Sequence, residues 1–192
     1  VVFSEAACAS HCIACDIETS GLDWRNDRIA TCQIYVPNHA VALVRFDGGR
    51  PTNLIGLLED PAVAKIFHHA MFDLRFLVNK YDCDPANIKC TKVASKLLRK
   101  GEHSHSLTEL VKRYFQVVID KGQQKSDWFR PDLTPTQIKY AAADVLFLPA
   151  LLDVLLGELE TMRLREYAER CFAHIPTQVW LEVRGYTGIY EY

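Results

Sequence analysis

The sequence predicts an α/β fold, a mixed β-sheet flanked by α-helices. Three observations carry this prediction. Short segments rich in Val, Ile and Ala, separated by turn residues, crowd the first half of the 192-residue chain. Apolar residues at helical spacing fill the second half. The length fits one domain with a real core, or a domain plus a short appendage. Strands followed by helices suggest a sheet covered by helices.

The elements follow in order. Residues 12–18, 28–36 and 40–46 read as strands, with Gly21, Asn26-Asp27 and Pro37-Asn38 in the turns between or beside them. Asp47-Gly48-Gly49 breaks the pattern, and Thr52 can cap a short helix over Asn53–Glu59. Val63–Phe67 reads as a further strand. Ala70–Lys80 reads as a helix with Phe72, Phe76 and Leu77 on its apolar face. Thr91 is placed to cap a helix built on Val93, Ala94, Leu97 and Leu98, and Leu107, Leu110, Val111 and Tyr114 repeat at helical spacing. Thr134-Pro135-Thr136-Gln137 resembles a capping box with proline at the first helical position. One long helix is expected from there to about Leu164.

Hydrophobic residues make up 49% and charged residues 24%, which excludes a disordered chain or a fibre. The net charge of -2 argues against a protein that coats long nucleic acid through bulk charge. It leaves room for a local basic groove, because Lys89–Arg130 holds ten Lys or Arg against four Asp or Glu. No apolar run approaches the ~20 residues of a membrane helix, and Val1-Val2-Phe3-Ser4 lacks the features of a secretory signal. No membrane association is expected. Seven cysteines, an odd number, suggest reduced thiols and a cytoplasmic setting. Cys8, Cys12 and Cys15, near His11, have a loose zinc-like spacing but no second cysteine pair.

Three groups of residues carry chemistry. Asp16 and Glu18 alternate along a strand, so both face one side while Ile17 faces the other. Two adjacent carboxylates repel; they need a cation or a proton, or they are simply solvated at the strand end. Hard divalent ions suit such oxygen ligands. Tyr140 and Asp144 are four apart on one helix face, separated by three alanines that keep the helix slim. They read either as a site pair or as a core aromatic beside a solvated acid. His68-His69-Ala70-Met71-Phe72-Asp73 spans a strand-to-helix junction, with Asp73 in the first turn, where the helix dipole favours an anion.

Together these groups, in this order, closely resemble the three motifs of the DEDD 3′-5′ exonucleases, and Tyr140 four before Asp144 matches the DEDDy branch. Cys90–Leu98, Ser106–Val111 and Lys121–Trp128 followed by Leu133-Thr134 are similar to the ribonuclease D pattern. Cys90 stands where that pattern often has Asp. The end of the chain, Cys171–Thr177 and Gly185-Tyr186 with Ile189-Tyr190, looks like that of the stand-alone bacterial nano-RNases of the NrnC group.

The resemblance implies a ribonuclease H-like fold, with an exonuclease domain over 1–165 and a C-terminal helical extension over 166–192. It implies metal-dependent 3′-5′ hydrolysis of very short RNA, dinucleotides above all, to nucleoside 5′-monophosphates. Two divalent cations, Mg²⁺ or Mn²⁺, about 4 Å apart are implied as cofactors. Asp16, Glu18, Asp73 and Asp144 are the implied ligands, and Tyr140 orients the attacking water, completing the catalytic five. Thr19, Leu22, His68, Phe72, Gln124, Ser126 and Trp128 are implied to face substrate. Leu22 is either a wedge between the last two bases or a core leucine in a turn, and Phe72 packs either on a base or in the core. Lys92, Lys96 and Arg99 recur at helical spacing and read first as a solvated face.

The implied partner is the 3′ end of short single-stranded RNA, with single-stranded DNA as a second substrate class. Trp180, Tyr186, Tyr190 and Tyr192 near the terminus suggest an interface, and the resemblance implies a homo-oligomer, an octameric ring. The alternatives are a broader exonuclease trimming longer RNA or single-stranded DNA, and a silent nucleic-acid-binding module. The presence of all five catalytic positions disfavours the module.

Overall fold

A computed structural model describes residues 2–189. Helix α1 (Val2–Ser10) leads into β1 (Cys12–Thr19), β2 (Ile29–Tyr35) and β3 (Val41–Arg45). Then come α2 (Thr52–Glu59), β4 (Ala64–Phe67), α3 (Ala70–Tyr81), β5 (Ile88–Cys90), α4 (Thr91–Leu98) and α5 (Leu107–Phe115). Helices α6 (Pro135–Leu146), α7 (Leu148–Thr161) and α8 (Arg165–Val183) follow. The five strands form one mixed sheet in the order β3-β2-β1-β4-β5. Strand β1 runs antiparallel to β2 and parallel to β4. The expected α/β architecture is therefore present, and each predicted strand lies within two residues of its expected bounds. Helix α1 and the three-residue β5 carry no period long enough to read from sequence.

Strand β1 is the centre of the sheet and is buried on its Ile13, Cys15 and Ile17 face. The main core joins those residues to Leu74 and Leu77 of α3, Leu151 and Leu155 of α7, and Phe172 and Val179 of α8. A smaller apolar cluster holds Ala30, Trp128, Tyr140 and Ala141, with Leu43 packed against it. Helix α8 thus packs onto the same core as the sheet, against α3 and β5.

The expected long helix from Thr134 is two helices. The break falls at Phe147, because Pro149 brings no N–H to an α-helical bond and its ring clashes with the turn before it. The same stretch corrects the expectation of no membrane-length apolar run. By length and composition alone, Pro135–Thr161 holds a window long and apolar enough to cross a bilayer. Its apolar side is instead spent on the core, where Leu148, Leu151, Leu155 and Leu159 are buried. Two expected caps also shift by one residue. Pro51 and Cys90, not Thr52 and Thr91, occupy the N-cap positions of α2 and α4. The capping box of α6 is present: Thr134 Oγ1 accepts from Gln137 N at 3.2 Å, and Gln137 Oε1 accepts from Thr134 N at 2.9 Å. Tyr190 and Tyr192 lie outside the described residues.

Candidate active site

Three elements deliver the carboxylates. In β1, Asp16 and Glu18 stand on one face, opposite Gln33 and Thr31 of β2. Immediately after them the register shifts: Glu18 pairs with Thr31 and Thr19 with Ile29, so Ala30 is the extra residue and the bulge lies in β2, beside the end of β1 where the cleft opens. On its other side β1 pairs with β4 only over Cys12–Ala14. The far end of β1 on that side is met by Asp73, in the first turn of α3, whose Oδ1 accepts from Ile17 N at 3.2 Å. Asp73 is 2% exposed. Helix α6 packs across β1 and β2 and presents Tyr140 and Asp144 one turn apart.

Carboxylate oxygens of Asp16, Glu18 and Asp144 lie within 4.8 Å of one another. Asp73 lines the same cleft outside that trio. Burial raises the proton affinity of all four acids, and their neighbours' charges raise it further for Asp16, Glu18 and Asp73. Burial and then the Asp73, Asp144 and Glu18 charges push Asp16 well above the usual carboxylate range. Burial and then Asp144 and Asp73 push Glu18 up to about 9. Burial lifts Asp73 to about 7, against the pull of its own and the Ile17 amides. Burial lifts Asp144 to about 6, offset by the Tyr140 hydroxyl and Lys121. Burial and the Asp144 and Glu18 charges also raise Tyr140, so its hydroxyl keeps its proton and donates it to Asp144. This donor set, all oxygen and all seeking positive charge, fits a hard divalent cation.

The cleft has a volume of about 610 Å³. Thr19, Leu22, His68, Phe72, Gln124 and Ser126 all line it with the acids and Tyr140. Leu22 is 83% exposed at its rim, so it is not a core leucine. The loop that carries it is tied by Asp27, which accepts from Ser20 Oγ and Asp23 N, each at 2.9 Å. Phe72 is half-buried, packed on Phe76 and on the ring of His69. His68 has both ring nitrogens engaged, Nδ1 with Thr91 Oγ1 and Nε2 with the His105 carbonyl, each at 2.9 Å. Burial and the Lys92 charge drop it to about 3, so it is neutral and donates Nε2–H to that carbonyl.

Trp128 departs from its expected place. It is 2% exposed, its ring 5.9 Å from that of Tyr140, and it does not line the cleft. The apolar cluster under α6 takes the indole, which backs Tyr140 instead of facing solvent. Cys12 and Cys15 stand on opposite faces of β1 and do not converge.

Lys92 and Lys121 line the cleft facing the acids, and among the described residues neither is in an ion pair. Lys92 is half-buried and lines the cleft, a place that its helical spacing alone does not indicate. Arg99 of that series turns away to Glu158 and to the Tyr114 hydroxyl. Lys121 sits in an irregular loop, where no periodicity announces its direction. That loop is anchored by Gln137, whose Nε2 donates to Ser126 Oγ at 3.0 Å and to the Asp127 carbonyl at 2.9 Å.

Residues 2–160 match the family model described as 3′-5′ exonuclease. Ribonuclease D of Haemophilus influenzae is 29% identical over 147 residues, which are 77% of this chain and 37% of that protein. The chain thus spans little more than a third of the length of that curated relative. Among solved structures, NrnC of Brucella melitensis is 36% identical, with TM-score 0.88 over 95% of this chain and 89% of that one. That protein has also been solved bound to pGG and with bound Mg²⁺. Escherichia coli RNase D is 25% identical, with TM-score 0.84 over 93% of this chain and 47% of that one.

Proposed function

The chain belongs to the 3′-5′ exonuclease family, in its ribonuclease D branch and close to the NrnC nano-RNases, and we propose that it hydrolyses very short RNA, dinucleotides above all, from the 3′ end to nucleoside 5′-monophosphates. The observation that carries this reading is the trio of Asp16, Glu18 and Asp144, whose oxygens lie within 4.8 Å in a cleft rimmed by Leu22. The binding of a dinucleotide by the Brucella melitensis NrnC supports the substrate class.

Asp16, Glu18 and Asp144 would hold one divalent cation, Mg²⁺ or Mn²⁺, and Asp16 with Asp73 a second. When bound, the pair supplies positive charge to the attacking and leaving oxygens of the phosphodiester. The protein's own groups do the rest. Tyr140 keeps its proton, is fixed by Asp144 and backed by Trp128, and orients the attacking water. Lys92 and Lys121 meet the substrate phosphates from the side opposite the acids. Leu22 wedges between the last two bases, and Thr19, Phe72, Gln124 and Ser126 complete the walls. A cleft that grips an end and two bases needs no long basic tract. Single-stranded DNA is a second substrate class, because the phosphate and base contacts named here do not require a 2′-OH.

We propose in addition that the chain assembles as a ring-like homo-oligomer, an octamer. Trp180, Tyr186 and Ile189, all exposed near the terminus, support an interface there. Light scattering after size exclusion tests this; a monomer at micromolar concentration would sink it. The activity is tested by incubating a 5′-phosphorylated RNA dinucleotide with Mn²⁺ and identifying the products. Nucleoside 5′-monophosphates from the parent protein, and none from Asp144→Ala, are expected. Equal inactivity of both proteins would reject hydrolysis in favour of a binding module.

A further inference from the structure

A second group of polar side chains lies beside the carboxylates on the same face of the sheet. Gln33 and Thr31 of β2 are 0% exposed, and Gln33 Oε1, Gln33 Nε2 and Thr31 Oγ1 have no hydrogen-bond partner among the described residues. Trp128 Nε1 is buried and unpartnered as well. Buried polar atoms without partners are costly, and native interiors retain few of them. The register shows where these point. Gln33 is directly opposite Asp16, and Thr31 is directly opposite Glu18, so these four side chains share one face of the sheet. Leu43, the β3 residue opposite Gln33, packs into the cluster that holds Trp128 and Tyr140, which puts the indole over the same face.

The remaining buried residues of β2, namely Ile29, Ala30, Cys32 and Ile34, are apolar. Among the buried residues of β2, Gln33 and Thr31, which face the acids, are the polar ones. A filler role would be met as well by Leu or Val. An amide, by contrast, both donates and accepts, while ionised carboxylates only accept. The unpartnered atoms supply enough donors and acceptors to hold a buried water.

We propose that Gln33 is a positioning residue of this site: with Thr31 it holds the Asp16 and Glu18 carboxylates, through an ordered water, in the orientation that receives the divalent cations. The inference rests on the metal-dependent reading above. Residues that fix metal ligands from behind affect metal affinity or activity by about 10–100-fold when replaced.

The test uses Gln33→Met, close in size and apolar, and Thr31→Val, isosteric. Mn²⁺ affinity of the cation-stripped proteins is measured by calorimetry, with thermal unfolding of the same samples and kcat and KM on a dinucleotide. The expected result for Gln33→Met is an intact fold, Mn²⁺ binding weakened about 10–100-fold, and a fall in kcat with KM little changed. Thr31→Val is expected to change in the same direction and less. Mn²⁺ affinity and kcat within twofold of the parent in a folded Gln33→Met protein would overturn the proposal. Failure of both variants to fold would assign the pair to the fold and overturn it too. A parent that neither binds Mn²⁺ nor cleaves the dinucleotide would instead reject the functional reading itself.

Discussion

Proton affinity is the property by which the site's residues differ most from ordinary surface acids. Glu18 at about 9, Asp73 at about 7 and Asp144 at about 6 all hold protons more tightly folded than unfolded. With raised folded values, the native state binds more protons than the unfolded chain between about pH 4 and 9. Stability of the cation-free protein is therefore fully present at the acid end of that window and falls as pH rises through it. Unfolding scans in EDTA from pH 5 to 9 are expected to show this fall, and Mn²⁺ is expected to restore stability most at the alkaline end, where the acids are free of protons. A flat profile in EDTA would contradict the burial of these acids beside one another. For Tyr140→Phe, which keeps the ring on Trp128 and removes only the hydroxyl, kcat should fall by roughly 10²-fold with little change in KM. The residues most legible in sequence were those whose relative direction one element fixes: Asp16 with Glu18 on a strand, Tyr140 with Asp144 on a helix. Gln33 was not, because its direction toward Asp16 depends on the pairing of two strands.

Elements place these residues through a few specific devices. The β2 bulge at Ala30 ends the regular β1–β2 pairing just before the Leu22 loop, and Gly21 lets that loop close on Asp27. A Cβ at Gly21 would stand 2.4 Å from an Asp27 carboxylate oxygen, so Gly21→Ala must break the Asp27 tie. Gly21→Ala is expected to raise KM for dinucleotides severalfold while leaving Mn²⁺ affinity near that of the parent; an unchanged KM would show that the loop does not hold substrate. Gln137 links helix and loop, capping α6 while bonding Ser126 and Asp127. Its replacement by Ala should cost about 1–3 kcal/mol in unfolding experiments and raise KM, because the loop carrying Lys121, Gln124 and Ser126 loses its anchor. The capping box was legible because its residues are local in sequence. The loop's course was not, since it is fixed by a helix residue eleven positions beyond Ser126. The single long helix expected after Thr134 missed the break that Pro149 imposes, where helical periodicity alone outweighed the local backbone rule.

At the scale of the molecule, the charge distribution acquires a reason. The net charge is -2, and two bound divalent cations would bring it to about +2. The basic stretch from Lys89 to Arg130 puts Lys92 and Lys121 into the cleft against the acids. Lys92, Lys121 and Lys125 thus bring positive charge to the cleft that holds the acids, and near-neutral net charge argues against coating of a long polymer through bulk charge. The layered architecture was readable because strands and helices separate along the chain; the packing of α8 onto α3 and β5 depends on contacts distant in sequence and was not. The most direct test of dinucleotide hydrolysis is a time course of end-labelled RNAs of two to ten nucleotides with Mn²⁺. Dinucleotides are expected to disappear fastest, yielding nucleoside 5′-monophosphates, with the rate falling as length grows; equal rates across those lengths would contradict a cleft built for a two-nucleotide end.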